Sequence, residues 1–160
     1  MYSDFSEFVK DKKCLCIIQA ENPDGDSLGS ALALDYLLDG HEISLYCPVD
    51  IPKYLRYFPD WSRVSGDFDF KADGYIIVDT AAQILLSKLL DDAAIRNLLE
   101  TQPVLVIDHH LEADDLPFEH TAIIEEAPAC CELIYRIIKE QKLPLSREVA
   151  ENLYSGIASD

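Results

Sequence analysis

The chain has 160 residues, 49% of them hydrophobic and 27% charged. That balance suits a single compact domain over residues 1–160 and excludes disorder as the main state. Thirteen Lys and Arg against 30 Asp and Glu leave a net charge of −17, which excludes broad binding to duplex nucleic acid and disfavours an anionic membrane. A small anionic substrate fits such a surface only where cations bridge it to the carboxylates, so the composition raises the question of metals before any motif is read. No apolar run approaches the roughly 18 residues of a bilayer span. Met1 to Lys13 carries both signs of charge and no signal-peptide core. The cysteines at 14, 16, 47, 130 and 131 are odd in number and contain no C-x-x-C pair, which predicts a reduced, cytoplasmic setting.

Along the chain, Tyr2 to Lys10 predicts a short entry helix. Cys14 to Gln19, with Ile17 and Ile18 inside, reads as a buried strand, and Asn22-Pro23-Asp24-Gly25-Asp26 as the turn after it. Leu28, Ala31, Leu32, Asp35 and Leu38 fall at helical spacing, with Gly40 as the stop. Ile43 to Cys47 predicts a second strand, and Ile51 to Trp61 one short helix within a long connection. Gly74 to Val78 predicts a third strand, Ile84 to Leu99 a helix, Pro103 to Ile107 a fourth strand and His120 to Ile124 a fifth. In Cys131 to Gln141 the apolar residues again repeat at helical spacing, and Ser146 is placed to cap a last helix. Near-continuous apolar strands separated by helices predict an α/β fold, a three-layer parallel sheet with helices on both faces.

In such sheets ligands bind outside the carboxyl ends of the strands. Asp24 and Asp26 follow the first strand, Asp79 ends the third, and Asp108, His109 and His110 end the fourth. Each motif alone has an ordinary explanation: Asp-x-Asp in a turn, an Asp capping the next helix, two adjacent histidines on a surface. Three of them at the same edge of one sheet point to chemistry. Carboxylate oxygen suits hard divalent cations, and imidazole extends the preference to manganese, iron and zinc. Asp24 and Asp26 can address two different ions of a close pair, Asp79 can bridge them, and His109 supplies nitrogen. Such a pair generates a hydroxide and holds a phosphoryl group for in-line attack.

These segments carry a family resemblance. Asn22-Pro23-Asp24-Gly25-Asp26-Ser27-Leu28-Gly29-Ser30, Val78-Asp79-Thr80-Ala81 and Val106-Ile107-Asp108-His109-His110 resemble motifs I, II and III of the DHH phosphoesterases. Leu153 to Asp160 resembles the segment ending in the motif IV aspartate, and Cys131-Glu132-Leu133-Ile134-Tyr135 a helix of the NrnA-like branch. The resemblance implies two manganese ions, with magnesium as the alternative. Asp24 is expected on the first ion, Asp26 on the second, and Asp79 between them. His109 and Asp160 would complete the second site, with Asp108 orienting His109. His110 would face the scissile phosphate, and Gly29 and Ser30 would lie at the anion beside the helix start. The implied reaction is metal-dependent hydrolysis of a small nucleotide phosphate or short oligonucleotide by an oligoribonuclease or 3′-phosphoadenosine 5′-phosphate phosphatase. Pyrophosphatase, exopolyphosphatase and cyclic-dinucleotide phosphodiesterase are the alternatives within the family, and a homodimer is among the states it allows.

Two departures from the family pattern stand out. Ala20 occupies the position of a metal-binding histidine in motif I, which opens a non-catalytic reading in which the domain binds nucleotide or one metal without turnover. The chain also ends at the motif IV aspartate, which leads us to expect a catalytic domain without the C-terminal DHHA1 domain.

Overall fold

A computed structural model describes residues 1–112 and 114–159. Six parallel strands form one sheet: β1 (Cys14–Ile18), β2 (Glu42–Tyr46), β3 (Val64–Ser65), β4 (Gly74–Val78), β5 (Val104–Asp108) and β6 (Thr121–Ile124). Their spatial order is β3-β2-β1-β4-β5-β6. The helices are α1 (Ser3–Val9), α2 (Gly25–Leu37), α3 (Ser87–Leu90), α4 (Ala93–Thr101), α5 (Cys130–Gln141) and α6 (Arg147–Ala158).

Alternation along the central strands builds two cores. Leu15, Ile17, Ile76, Val78, Leu105 and Ile107 face α1, α2, α5 and α6. Cys16, Ile18, Tyr75, Ile77, Val104 and Val106 face α3, α4 and the loops beside them. Because both faces are covered, β4 and β5 are buried at every position and read as continuous apolar runs. The expected three layers are therefore present. Among the described residues, which include all five cysteines, no disulfide is formed, and no helix is long and apolar enough to cross a membrane.

Four local expectations change. The helix expected from Leu28 begins earlier, because Asp24 accepts from the Ser27 N–H while the Ser27 hydroxyl accepts from the Asp24 N–H, a reciprocal cap. It ends without a left-handed glycine at Gly40. The single helix expected over Ile84 to Leu99 is a 3-10 turn at Gln83–Leu86 followed by α3 and α4; the Asp92 carboxylate accepts from the Ala94 and Ile95 N–H groups and starts α4 afresh. The helix expected within Ile51 to Trp61 is instead a 3-10 turn at Lys53–Leu55, followed by a second at Trp61–Arg63 that leads into the short edge strand β3. Ser146 does cap α6, accepting from the Val149 N–H.

Candidate metal centre

Strand order reverses between β1 and β4, so the crevice beyond their carboxyl ends is the topological switch point of the sheet. The chain leaving β1 delivers Asp24 and Asp26 there on the first turn of α2, and the chain leaving β4 delivers Asp79. Asp79 has φ 66, in the left-handed region, a conformation that Asp adopts more readily than most residues and that tends to mark functional positions.

The buried part of the site comprises Asp26, Asp79 and His109. The His109 Nε2 lies 3.1 Å from Asp79 Oδ1 and 3.4 Å from Asp26 Oδ2. Its Nδ1 lies 2.9 Å from the Ala127 carbonyl oxygen. An N–H donated to that carbonyl fixes the ring and turns Nε2 toward the two carboxylates. Asp26 is buried, and its oxygens accept from the Cys130 and Cys131 N–H groups at 2.8 and 2.9 Å. The free amides and the positive dipole end of α5 thus compensate a charge removed from water. Among the described residues, buried Asp79 Oδ1 has His109 Nε2 beside it at 3.1 Å and makes no hydrogen bond of good geometry, which leaves it open to a further group.

Charge and burial act together here. Burial pushes the Asp79 carboxyl well above the usual carboxylate range, contact with His109 opposes the shift, and the neighbouring Asp26 and Asp24 add to it. The Asp79 contact raises the His109 imidazole, with the Ala127 carbonyl and the Asp26 charge adding. Without a metal, protons hold this cluster of negative charge together. A divalent cation held by Asp26, Asp79 and His109 would offset the same negative charge in place of protons.

Asp24 stands apart from these three. It is exposed, and one of its oxygens is occupied in the cap of α2. Ala20 presents no donor atom, and Glu21 does not substitute for one. The Glu21 carboxylate accepts from the Ser87 hydroxyl and the Lys88 N–H at 2.9 and 3.0 Å, tying the loop after β1 to α3. Asp160 lies outside the described residues.

Three expected roles are corrected. Asp108 does not hold His109; its Oδ1 lies 2.6 Å from His110 Nδ1 and also accepts from the His110 N–H. Side chains alternate along an extended chain, which sends 108 and 110 to one face and 109 to the other, where Asp26 and Ala127 wait. Gly29 is not at an anion. A Cβ there would sit 2.7 Å from the Asn152 carbonyl oxygen and 3.2 Å from Cys131 Sγ, so this glycine lets α2 and α6 pack backbone to backbone. Ser30 is fully buried, its hydroxyl 3.3 Å from Cys131 Sγ. The backbone amides of Cys130 and Cys131 and the carbonyl of Ala127, which fix Asp26 and His109, carry no side-chain signature. Their one trace in the sequence is the expected helix start at this point, with its free N–H groups.

Residues 14–157 match the DHH family, N-terminal domain. The chain belongs to the DHH family. Among curated DHH relatives, proteins named probable manganese-dependent inorganic pyrophosphatase from Streptococcus mutans and Streptococcus equi are each 25% identical, over 88% and 91% of this chain. The alignments cover 46% and 48% of those proteins, so this DHH chain spans about half their length. An exopolyphosphatase-related protein from Bacteroides fragilis superposes with a TM-score of 0.82 at 24% identity, covering 98% of this chain and 48% of that one. Manganese-bound RecJ from Thermus thermophilus superposes with a TM-score of 0.55 at 19% identity, over 97% of this chain and 22% of RecJ. Both likenesses concern the fold.

Proposed function

We propose that this DHH domain is the catalytic half of a manganese-dependent phosphoesterase that hydrolyses small nucleotides or short oligonucleotides. The observation that carries the proposal is the convergence of the buried Asp79 and Asp26 carboxylates on the Nε2 of His109, at 3.1 and 3.4 Å. Two carboxylates and one imidazole make a mixed oxygen and nitrogen donor set, which suits manganese better than magnesium. Asp26, Asp79 and His109 would hold the ion, with Asp24 as the candidate toward a second. When bound, such ions polarise a phosphoryl group and supply a hydroxide nucleophile near neutral pH.

The protein's own groups have distinct tasks. Asp26 is immobilised by two amides, Asp79 by its turn, and His109 by Ala127, so donors meet the ion already oriented. His110 has its Nδ1 held by Asp108 and stands close enough to Asp79 and His109 for the three side chains to offer ligand atoms within 4.8 Å of one another. Side-chain exposure of 47% leaves that imidazole accessible to a substrate. It is placed to donate to a phosphoryl oxygen or to the departing oxygen.

The test is hydrolysis of a panel comprising 3′-phosphoadenosine 5′-phosphate, short RNA, cyclic dinucleotides and pyrophosphate, with and without manganese. Manganese-dependent release from the first two is expected. Hydrolysis of pyrophosphate alone would move the assignment to the chemistry named for the streptococcal relatives. A second reading, metal or nucleotide binding without turnover, is favoured by one observation: Ala20 offers no ligand and Glu21 is engaged at α3. Manganese stoichiometry separates the two, one ion favouring the binding module and two the enzyme.

A further inference from the structure

Beside the centre, on the face of the sheet opposite Asp26, lies a cavity of about 260 Å³. One wall is the chain just past Asp79, where Thr80, Ala81 and Ala82 are followed by Leu85. The left-handed turn at Asp79 throws this wall outward. The Thr80 hydroxyl accepts from the Ala82 N–H at 3.0 Å and holds it in shape. The opposite wall is Asp108, His110 and Glu112. The cavity is therefore floored by methyl and isobutyl groups, rimmed by two carboxylates, and touched by the same His110 that stands beside the metal centre. Among the described residues that line it there is no Lys or Arg.

We infer that this cavity seats the nucleoside of the substrate and that Ala82 and Leu85 set selectivity for it. The inference rests on the phosphoesterase reading above, which puts a phosphoryl group at Asp79 and His109. From there the rest of the substrate must extend somewhere, and the cavity opens directly beside His110. A second phosphoryl group is a poor occupant, since it would meet the Glu112 carboxylate and no Lys or Arg side chain of the described lining. A flat, uncharged group fits. The volume lies just below the roughly 300–1,000 Å³ of pockets for drug-sized ligands and suits a base with part of its sugar. Ala81, Ala82 and Leu85 offer apolar contact to its ring, and Glu112 offers an acceptor to an exocyclic amine. This subsite discriminates against the diphosphate for which the streptococcal relatives are named.

The test compares adenosine 5′-monophosphate with methyl phosphate, which has the same phosphomonoester group and no nucleoside. Affinity is measured by calorimetry on the manganese-loaded chain, after manganese binding itself has been titrated. At least tenfold tighter binding of the nucleotide is expected. Ala82→Phe, which fills the cavity, should bring the nucleotide to within about twofold of methyl phosphate and leave affinity for manganese and methyl phosphate unchanged. Leu85→Ala, which removes a wall, should reduce the preference without abolishing it. Equal affinity for both ligands in the unmodified chain, or a preference untouched by Ala82→Phe, overturns the inference while leaving the metal centre standing. Failure to bind manganese sinks the phosphoesterase reading instead. The subsite is then judged by saturation-transfer NMR with adenosine alone: contacts that vanish in Ala82→Phe support it, and no contacts overturn it.

Discussion

The two halves of the metal centre are built in opposite ways. In the buried half, Asp26, Asp79 and His109 are withdrawn from water, and Asp26 and His109 are held by backbone groups of α5 and of the loop before it. On the β1 side, Asp24 is exposed, Ala20 offers nothing, and Glu21 is tied to α3. The first half spends burial on fixing its donors, so its geometry exists before any ion arrives. The second half relies on one carboxylate that already caps a helix. Preorganisation, more than the number of nearby acids, separates a strong site from a weak one.

The sharpest way to break this contrast is Asp79→Ala. It removes the carboxylate at the heart of the buried half, and loss of all measurable manganese binding in calorimetry is expected. Retained affinity would mean that Asp79 is a strained turn residue and no more. His109→Ala should weaken manganese binding by more than about 100-fold, since loss of an orienting partner alone typically costs 10- to 100-fold. His110→Ala should leave binding within a few-fold of the unmodified chain and act on turnover. The reverse ranking in an electron paramagnetic resonance titration would exchange the two imidazoles. Ala20→His sharpens the comparison from the weak side: manganese stoichiometry should rise from about one toward two. Two ions of near-equal affinity in the unmodified chain would show that the exposed half needs no histidine.

The smallest expected effect is the pH dependence of the metal-free protein. Folding raises the His109 value from 6.5 to about 9, so the stability it contributes is fully present below about pH 6.5 and lost as pH rises through 9. Folding raises Asp79 as well, and a raised carboxyl works in the same direction, because the folded state holds the extra proton. The melting temperature of the metal-free chain should fall between pH 6.5 and 9, and less so in His109→Gln. An unchanged slope in that variant would remove His109 from the account.

Much of this was legible before any coordinates. The apolar runs placed β1, β2, β4 and β5, and the residues following them placed Asp24, Asp26, Asp79 and His109 at one edge. What eluded sequence reasoning was contact between distant segments. Gly29 looks like an anion-binding glycine from its place after Asp26, yet its neighbours are Asn152 and Cys131 on α6 and α5. Ser30 disappears into the same helix packing. The pairing of Asp108 with His110 was accessible from strand alternation alone, and the expectation of Asp108 on His109 overlooked it. The interruption before α4 turned on Asp92, whose capping role competes with an otherwise helical composition.

The clamp on Asp26 bears on how the domain is assembled. Its carboxylate and the amide of Cys130 are 104 residues apart in sequence, so the donor is aimed only once most of the chain has folded and α5 has docked. Closing so long a loop is slow and entropically costly. An ion held by Asp26 would therefore find this donor aimed only in the native state. A metal bound by that donor would be expected to slow unfolding more than it speeds folding, which unfolding rates measured with and without manganese would show.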